Sequence, residues 1–132
     1  MSEVGPRQVF AARSSLRNGV ARIAVEGELD LASVPRLTQR LAEVDAEADG
    51  QGPPHLLLDL RGLTLMDSSG LRELLSVIAG ASQNGRRFAV IGVAEPVRKV
   101  FELTGSGSVL DGDGALELIQ RFTGATGGGA PE

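Results

Sequence analysis

Thr64-Leu65-Met66-Asp67-Ser68-Ser69-Gly70-Leu71-Arg72-Glu73-Leu74-Leu75, TLMDSSGLRELL, passes from an apolar run to a helix-periodic one through four small or polar residues. Asp67, Ser68 and Ser69 can each cap the helix that follows, and a helix needs one such cap. Two adjacent hydroxyls therefore exceed what capping demands, which leaves one for another purpose. A plain helix start, with all three residues serving the turn, ranks at least equal to that reading on sequence physics alone.

Downstream, Leu71, Leu74, Leu75, Ile78 and Ala79 recur at helix spacing and Asn84-Gly85 closes the helix. Upstream, His55 to Leu60 (HLLLDL) is an almost continuous apolar run between turn signals, as expected of a strand buried on both faces of a parallel sheet. Further back, Gln8 to Arg13 and Val20 to Glu26 read as strands joined by a hairpin at Asn18-Gly19, a pair suited to positive φ angles. From Ser33, a candidate cap, Val34, Leu37, Leu41, Val44 and Ala48 mark a helix with Pro35 in its first turn, and Gly50-Gln51-Gly52-Pro53-Pro54 is the loop that ends it.

Beyond the central helix, Phe88 to Ile91 predicts another buried strand, and Val97, Val100, Phe101 and Leu103 a short helix after Glu95-Pro96. Thr104 to Ser108 reads as a break and Val109-Leu110 as a last short strand. Ala115 to Phe122 reads as a last helix with Leu116, Leu118 and Ile119 as its apolar set. The order specifies an α/β domain: a small, mostly parallel mixed sheet with an N-terminal hairpin at one edge, flanked by about four helices. Residues 1–7 form an N-terminal extension, 8–123 the domain and 124–132 a flexible Gly-rich tail.

A chain of 132 residues, 42% hydrophobic and 23% charged, suits one domain with a real core. The net charge of −4 and a single lysine, Lys99, argue against binding nucleic acid directly, and four phenylalanines as the only aromatics give no base-stacking platform. The absence of cysteine removes disulfides, thiolate nucleophiles and zinc–thiolate sites. MSEVGPRQVF is unlike a signal peptide and no apolar run nears the roughly 20 residues that cross a membrane, so a soluble cytoplasmic protein is expected.

Catalytic patterns are weak. Met66 stands where a nucleophile elbow needs its first glycine, the sole histidine, His55, opens a strand, and no Gly-Lys-Ser or Gly-Lys-Thr loop is present. Asp30, Asp59 and Asp67 lack the further ligands a metal would need, and Asp111-Gly112-Asp113-Gly114 resembles a calcium loop too briefly to be more than a turn. No enzyme activity, metal or cofactor is expected. In parallel sheets function gathers in loops after the strands' carboxyl ends. Two such loops are unusually polar: Gly27-Glu28-Leu29-Asp30 and Asp67-Ser68-Ser69-Gly70.

Those two loops, with Leu56-Leu57-Leu58-Asp59-Leu60 and Val97 to Gly105 (VRKVFELTG), carry a family resemblance in their order and spacing. From about Val9 to Phe122 the chain resembles the STAS domain family, and within it the bacterial anti-sigma factor antagonists. The resemblance implies a small mixed sheet flanked by helices, and phosphorylation at Ser68 by a partner that is both anti-sigma factor and serine kinase. It further implies that the unphosphorylated form binds that partner and releases a sigma factor, that phosphorylation weakens binding, and that a PP2C-type serine phosphatase restores it. On this reading Glu28, Asp30, Asp67, Ser68, Ser69, Gly70 and Arg72 bind the partner. Ser106-Gly107-Ser108 departs from the apolar residue that often follows Leu-Thr-Gly in the family, which implies a looser connection there. The alternative within the resemblance is a non-catalytic STAS module serving as an interaction subunit of a transport or stress-signalling complex.

Overall fold

The computed structural model describes residues 10–48, 52, 54–111 and 114–124. The expectations for the N-terminal extension, for the Gly-rich tail and for much of the loop at 50–54 lie outside these residues, as does part of the Asp-Gly-Asp-Gly segment.

The first strand, β1 (Ala11–Arg17), turns at Asn18-Gly19 into β2 (Val20–Leu29). Both turn residues have positive φ, 54° and 78°, matching the strands' twist, and Arg17 pairs with Val20 directly across the turn. The first strand lies a few residues later than its sequence pattern predicts. Helix α1 (Val34–Glu47) follows, then β3 (His55–Leu60), β4 (Leu63–Met66), α2 (Ser68–Gln83), β5 (Phe88–Val93), α3 (Glu95–Leu103), a 3₁₀ turn (Gly107–Asp111) and α4 (Ala115–Thr123). The sheet runs β1-β2-β3-β5, with β1 antiparallel at one edge and β2, β3 and β5 parallel.

Three local expectations are corrected. Leu63–Met66 is a strand, parallel to the far end of β2, where the sequence reads only as an apolar approach to the helix. Gly27 to Leu29 belongs to β2 and not to a loop, because β4 supplies its pairing. Val109-Leu110 lies in the 3₁₀ turn rather than in a strand.

Alternation along the strands separates two apolar layers. Ala21, Ile23 and Val25 of β2 and Leu56, Leu58 and Leu60 of β3 face a large core closed by α1, α2 and α3, whose anchors include Leu37, Val44, Leu74, Ile78, Val97 and Phe101. Phe101 is wholly enclosed, a burial worth roughly 1.5–3 kcal/mol. Val20, Leu57 and Ala89 point the other way and are covered by α4 through Leu118 and Ile119. Leu103 and Leu116 are exposed, since each falls on the outward side of a helix covered on one face only.

Candidate functional site

Side by side and parallel, β2 and β4 place Leu29 opposite Met66, so both chains leave the sheet at its carboxyl end. The Asp67 N–H donates to the Leu29 carbonyl at 3.2 Å and stitches the two exits together. Asp67 has extended backbone, and its Oδ1 accepts from the Gly70 N–H at 2.9 Å. Of the three candidate caps, Asp67 is the one used. Ser69 is half-buried beside it, whereas Ser68 is exposed and its hydroxyl makes no hydrogen bond to any described residue.

Gly70 is buried in the joint between the exits. A Cβ there would lie 2.8 Å from Leu29 Cγ and 2.9 Å from Met66 Cγ, and would collide with the Leu29 carbonyl oxygen. Its role is close approach of the helix to the sheet rather than an unusual backbone angle.

The loop from β2 into α1 is tied by its own polar groups. The Asp30 N–H donates to Ser33 Oγ at 2.9 Å, Asp30 Oδ1 accepts from the Ser33 N–H at 3.0 Å, and Ser33 Oγ donates to the Glu28 carbonyl at 2.9 Å. Ser33 holds the N-cap position of α1 but caps no helix amide with its side chain, contrary to its sequence reading, because this knot occupies the hydroxyl. The structure thus gathers Glu28, Asp30, Asp67, Ser68, Ser69 and Gly70 at one end of the sheet, with Arg72 exposed one turn into α2. Two residues of that end escape the sequence reading: Leu31, 73% exposed, and Leu65, 52% exposed. A pattern that credits every leucine to the core cannot single them out.

The sole histidine stands apart from Ser68. His55 pairs with Val20 at the amino end of the sheet, the end remote from Ser68. Its Nδ1 accepts from the Arg87 N–H at 3.0 Å, and burial, reinforced by Arg121 and Arg87, lowers its pKa. A cavity of about 310 Å³ opens at that remote end, lined by Leu16, Asn18, His55 and Arg121 among others. Among the described residues no group of three or more His, Cys, Asp or Glu side chains is placed to hold a metal. Among them, too, no helix is long and apolar enough to cross a membrane.

Nor do the three carboxylates named from sequence converge. Asp30 is engaged by Ser33 and Asp67 by Gly70, while Asp59 sits on the α4 side of the sheet with its side chain only 5% exposed. Arg61 donates to it from Nε at 2.9 Å and from Nη2 at 2.7 Å, and Arg22 from Nη2. The Arg61 hydrogen bonds outweigh burial, and with Arg22 they hold the Asp59 pKa at about 2. Because the folded value lies below the unfolded one, this stabilisation is complete above about pH 4 and is lost as pH falls through about 2. It amounts to at most about 2 kcal/mol. Asp59→Asn is expected to cost about 1 to 2 kcal/mol at pH 7 and to flatten the acid limb of stability between about pH 4 and 2, read by urea unfolding. An acid limb unchanged in the variant would assign the loss to other carboxylates.

Residues 13–122 match the family model described as Mlab, STAS domain. The chain belongs to the STAS domain family. This STAS domain is 29% identical over 83 residues to the anti-sigma-B factor antagonist of Staphylococcus aureus, covering 63% of this chain and 73% of that protein. Its fold matches an anti-sigma factor antagonist from Mycobacterium paratuberculosis with a TM-score of 0.69, at 21% identity, over 91% of this chain and 99% of the other. The anti-sigma factor antagonist SpoIIAA in its unphosphorylated form matches with a TM-score of 0.63, at 24% identity, over 88% and 97% of the two chains. The phosphorylated form of the Bacillus cell-fate determinant SpoIIAA gives 0.57, at 21% identity, over 76% and 87%. At these identities the solved structures speak for the fold.

Proposed function

We propose that this STAS domain is an anti-sigma factor antagonist switched at Ser68. The unphosphorylated form binds an anti-sigma factor that is also a serine kinase and frees a sigma factor; phosphorylation of Ser68 ends the binding, and a PP2C-type phosphatase restores it. The observation that carries this reading is the exposed Ser68 hydroxyl, free of any bond to a described residue, at the start of a helix already capped by Asp67. A phosphate at that position meets unpaired backbone amides and the positive end of the helix dipole, so the fold tolerates it. In an interface the same charge opposes association wherever it must be desolvated or faces a carboxylate.

Glu28, Asp30, Ser69 and Arg72 form the polar part of the partner surface, and Leu31 and Leu65 add apolar contact. The domain itself performs no catalysis, and an ATP-dependent partner places its work in the cytoplasm. Incubation with the cognate kinase and ATP is expected to add one phosphoryl group at Ser68, located by peptide mass spectrometry. Modification at Ser69, or undiminished incorporation into Ser68→Ala, would overturn the assignment.

A second reading makes the domain an interaction subunit of a transport or stress-signalling assembly, since membership of the STAS family is common to both readings. Co-purification with a membrane transport complex and no phosphate at Ser68 would decide for that reading.

A further inference from the structure

The sheet face that bears Asp59 is covered over only part of its length. Helix α4 packs on Val20, Leu57, Ala89 and Ile91, toward the amino ends of the parallel strands. Farther along the same face, cross-strand register and alternation bring together Arg13 of β1, Arg22 and Glu26 of β2, and Asp59 of β3, with Arg61 immediately after that strand. Arg61 is 65% exposed and lies over β5, its aliphatic carbons filling the space beside Gly92, a residue with φ 68° at a bulge between β3 and β5. Arg13 is exposed, 3.8 Å from Glu26. Asp59 is enclosed beneath the guanidiniums and the 44% exposed Glu26 pairs with Arg13, so three arginines against two carboxylates leave this surface net positive on a chain whose net charge is −4.

Stability alone does not call for this arrangement, since a buried ion pair is often no more stabilising than apolar residues of similar volume. Its distinctive product is a pair of guanidiniums held in place by a shared carboxylate while retaining further donors. From Arg13 on β1 to Arg61 over β5 the arginines span about 14 Å, three strand spacings, which matches about four residues of extended chain. That span is short for tracking a nucleic-acid backbone. The four phenylalanines also offer no base a stacking surface here, because Phe10, Phe88 and Phe101 belong to the large core and Phe122, on α4, packs against the smaller apolar layer.

We propose that the Arg13–Arg22–Arg61 surface is a second docking site, separate from the Ser68 end, for a short acidic segment of a partner protein. Carboxylates of that segment pair with the outward guanidinium donors. The site does not depend on the Ser68 switch.

The test is titration of the intact ¹⁵N-labelled chain with a capped octaglutamate peptide at low salt, followed by NMR. Amide shifts are expected to centre on Arg13, Arg22 and Arg61, with affinity falling roughly five- to tenfold in Arg13→Ser/Arg61→Ser and less than about twofold in Arg98→Ser/Lys99→Ser on α3. Arg13→Ser alone, which leaves Asp59 both of its partners, is expected to weaken binding by about two- to threefold in a fully folded domain. Ser68→Ala is expected to bind the peptide like the parent, which keeps this result distinct from the fate of the switch. Shifts spread over arginines elsewhere, equal affinity in Arg13→Ser, inorganic phosphate binding the same residues as tightly as the peptide, or tighter binding of a single-stranded oligonucleotide would each overturn the proposal.

Discussion

Gly70→Ala is expected to destabilise the domain by about 3 kcal/mol, lowering Tm by roughly 10 °C or more. The added methyl group has no room: it meets the Leu29 carbonyl, Leu29 Cγ and Met66 Cγ at once, and the first of these is backbone held in the β2–β4 joint. Relief requires α2 to move away from the sheet, which strains the Asp67 cap and the packing of Leu71 and Leu74. Gly80→Ala is the matched control, in the interior of the same helix, where a Cβ would meet nothing within 4 Å. There the substitution is expected to stabilise by about 0.5 to 1 kcal/mol, because alanine has the higher helix propensity. Thermal unfolding of the two variants reads both signs, and a Gly70→Ala domain as stable as the parent would mean the joint is looser than its geometry indicates.

Ser68 is expected to behave in the opposite manner, with large effects on binding and small ones on folding. Ser68→Ala should bind the anti-sigma factor as the parent does and act as permanently unphosphorylated, because neither cap nor core uses its hydroxyl. Phosphoserine at 68 should weaken that binding roughly 5- to 150-fold, the range of a 1 to 3 kcal/mol coupling. Ser68→Asp brings about one negative charge where phosphate brings nearly two, and should produce only part of the loss. All three forms should retain the parent's circular dichroism, since an acidic group near a helix N-terminus is favourable by about 0.3 to 1 kcal/mol. Titration calorimetry supplies the affinities. Undiminished binding of a folded phosphoserine form would remove the charge switch, and unfolding of Ser68→Ala would make the serine structural.

Much of this end of the molecule is legible in the chain because its determinants are local. Asn18-Gly19 announces the hairpin by its φ preferences, the run HLLLDL announces a strand covered on both sides, and Asp-Ser-Ser-Gly before a helix-periodic segment announces the start of α2. What escapes sequence reading depends on neighbours distant in the chain. Leu63–Met66 is too short to show a strand's alternation and owes its conformation to β2. Leu31, Leu65, Leu103 and Leu116 look like core residues to any periodic rule, yet exposure is decided by which faces other elements reach. The choice of Asp67 over either serine as cap is also not a matter of propensity, since all three residues are of good capping types. It follows from the extended exit of β4, which turns the Asp67 carboxylate toward the Gly70 amide.

Strand β2 has a divided allegiance. Beyond its pairing with β1, its first half is laddered to β3 from Val20 to Ala24 and its second half, among the described residues, only to the short β4 from Gly27 to Leu29, and the register slips between Gly27 and Glu28. In terms of local opening, the two halves need not come apart together: the first is sandwiched between two apolar layers, whereas the second is held on one side only, by the β4 ladder and by Leu29, Leu63 and Met66 in the large core around Gly70. The segment carrying Ser68 therefore hangs from a part of the sheet whose ladder is separate from that of the hairpin and central strands. An enzyme that must draw a serine out of a helical turn into its own cleft needs, at this end, only the first turn of α2 to loosen, and the ladder of the hairpin with the central strands is not part of that turn.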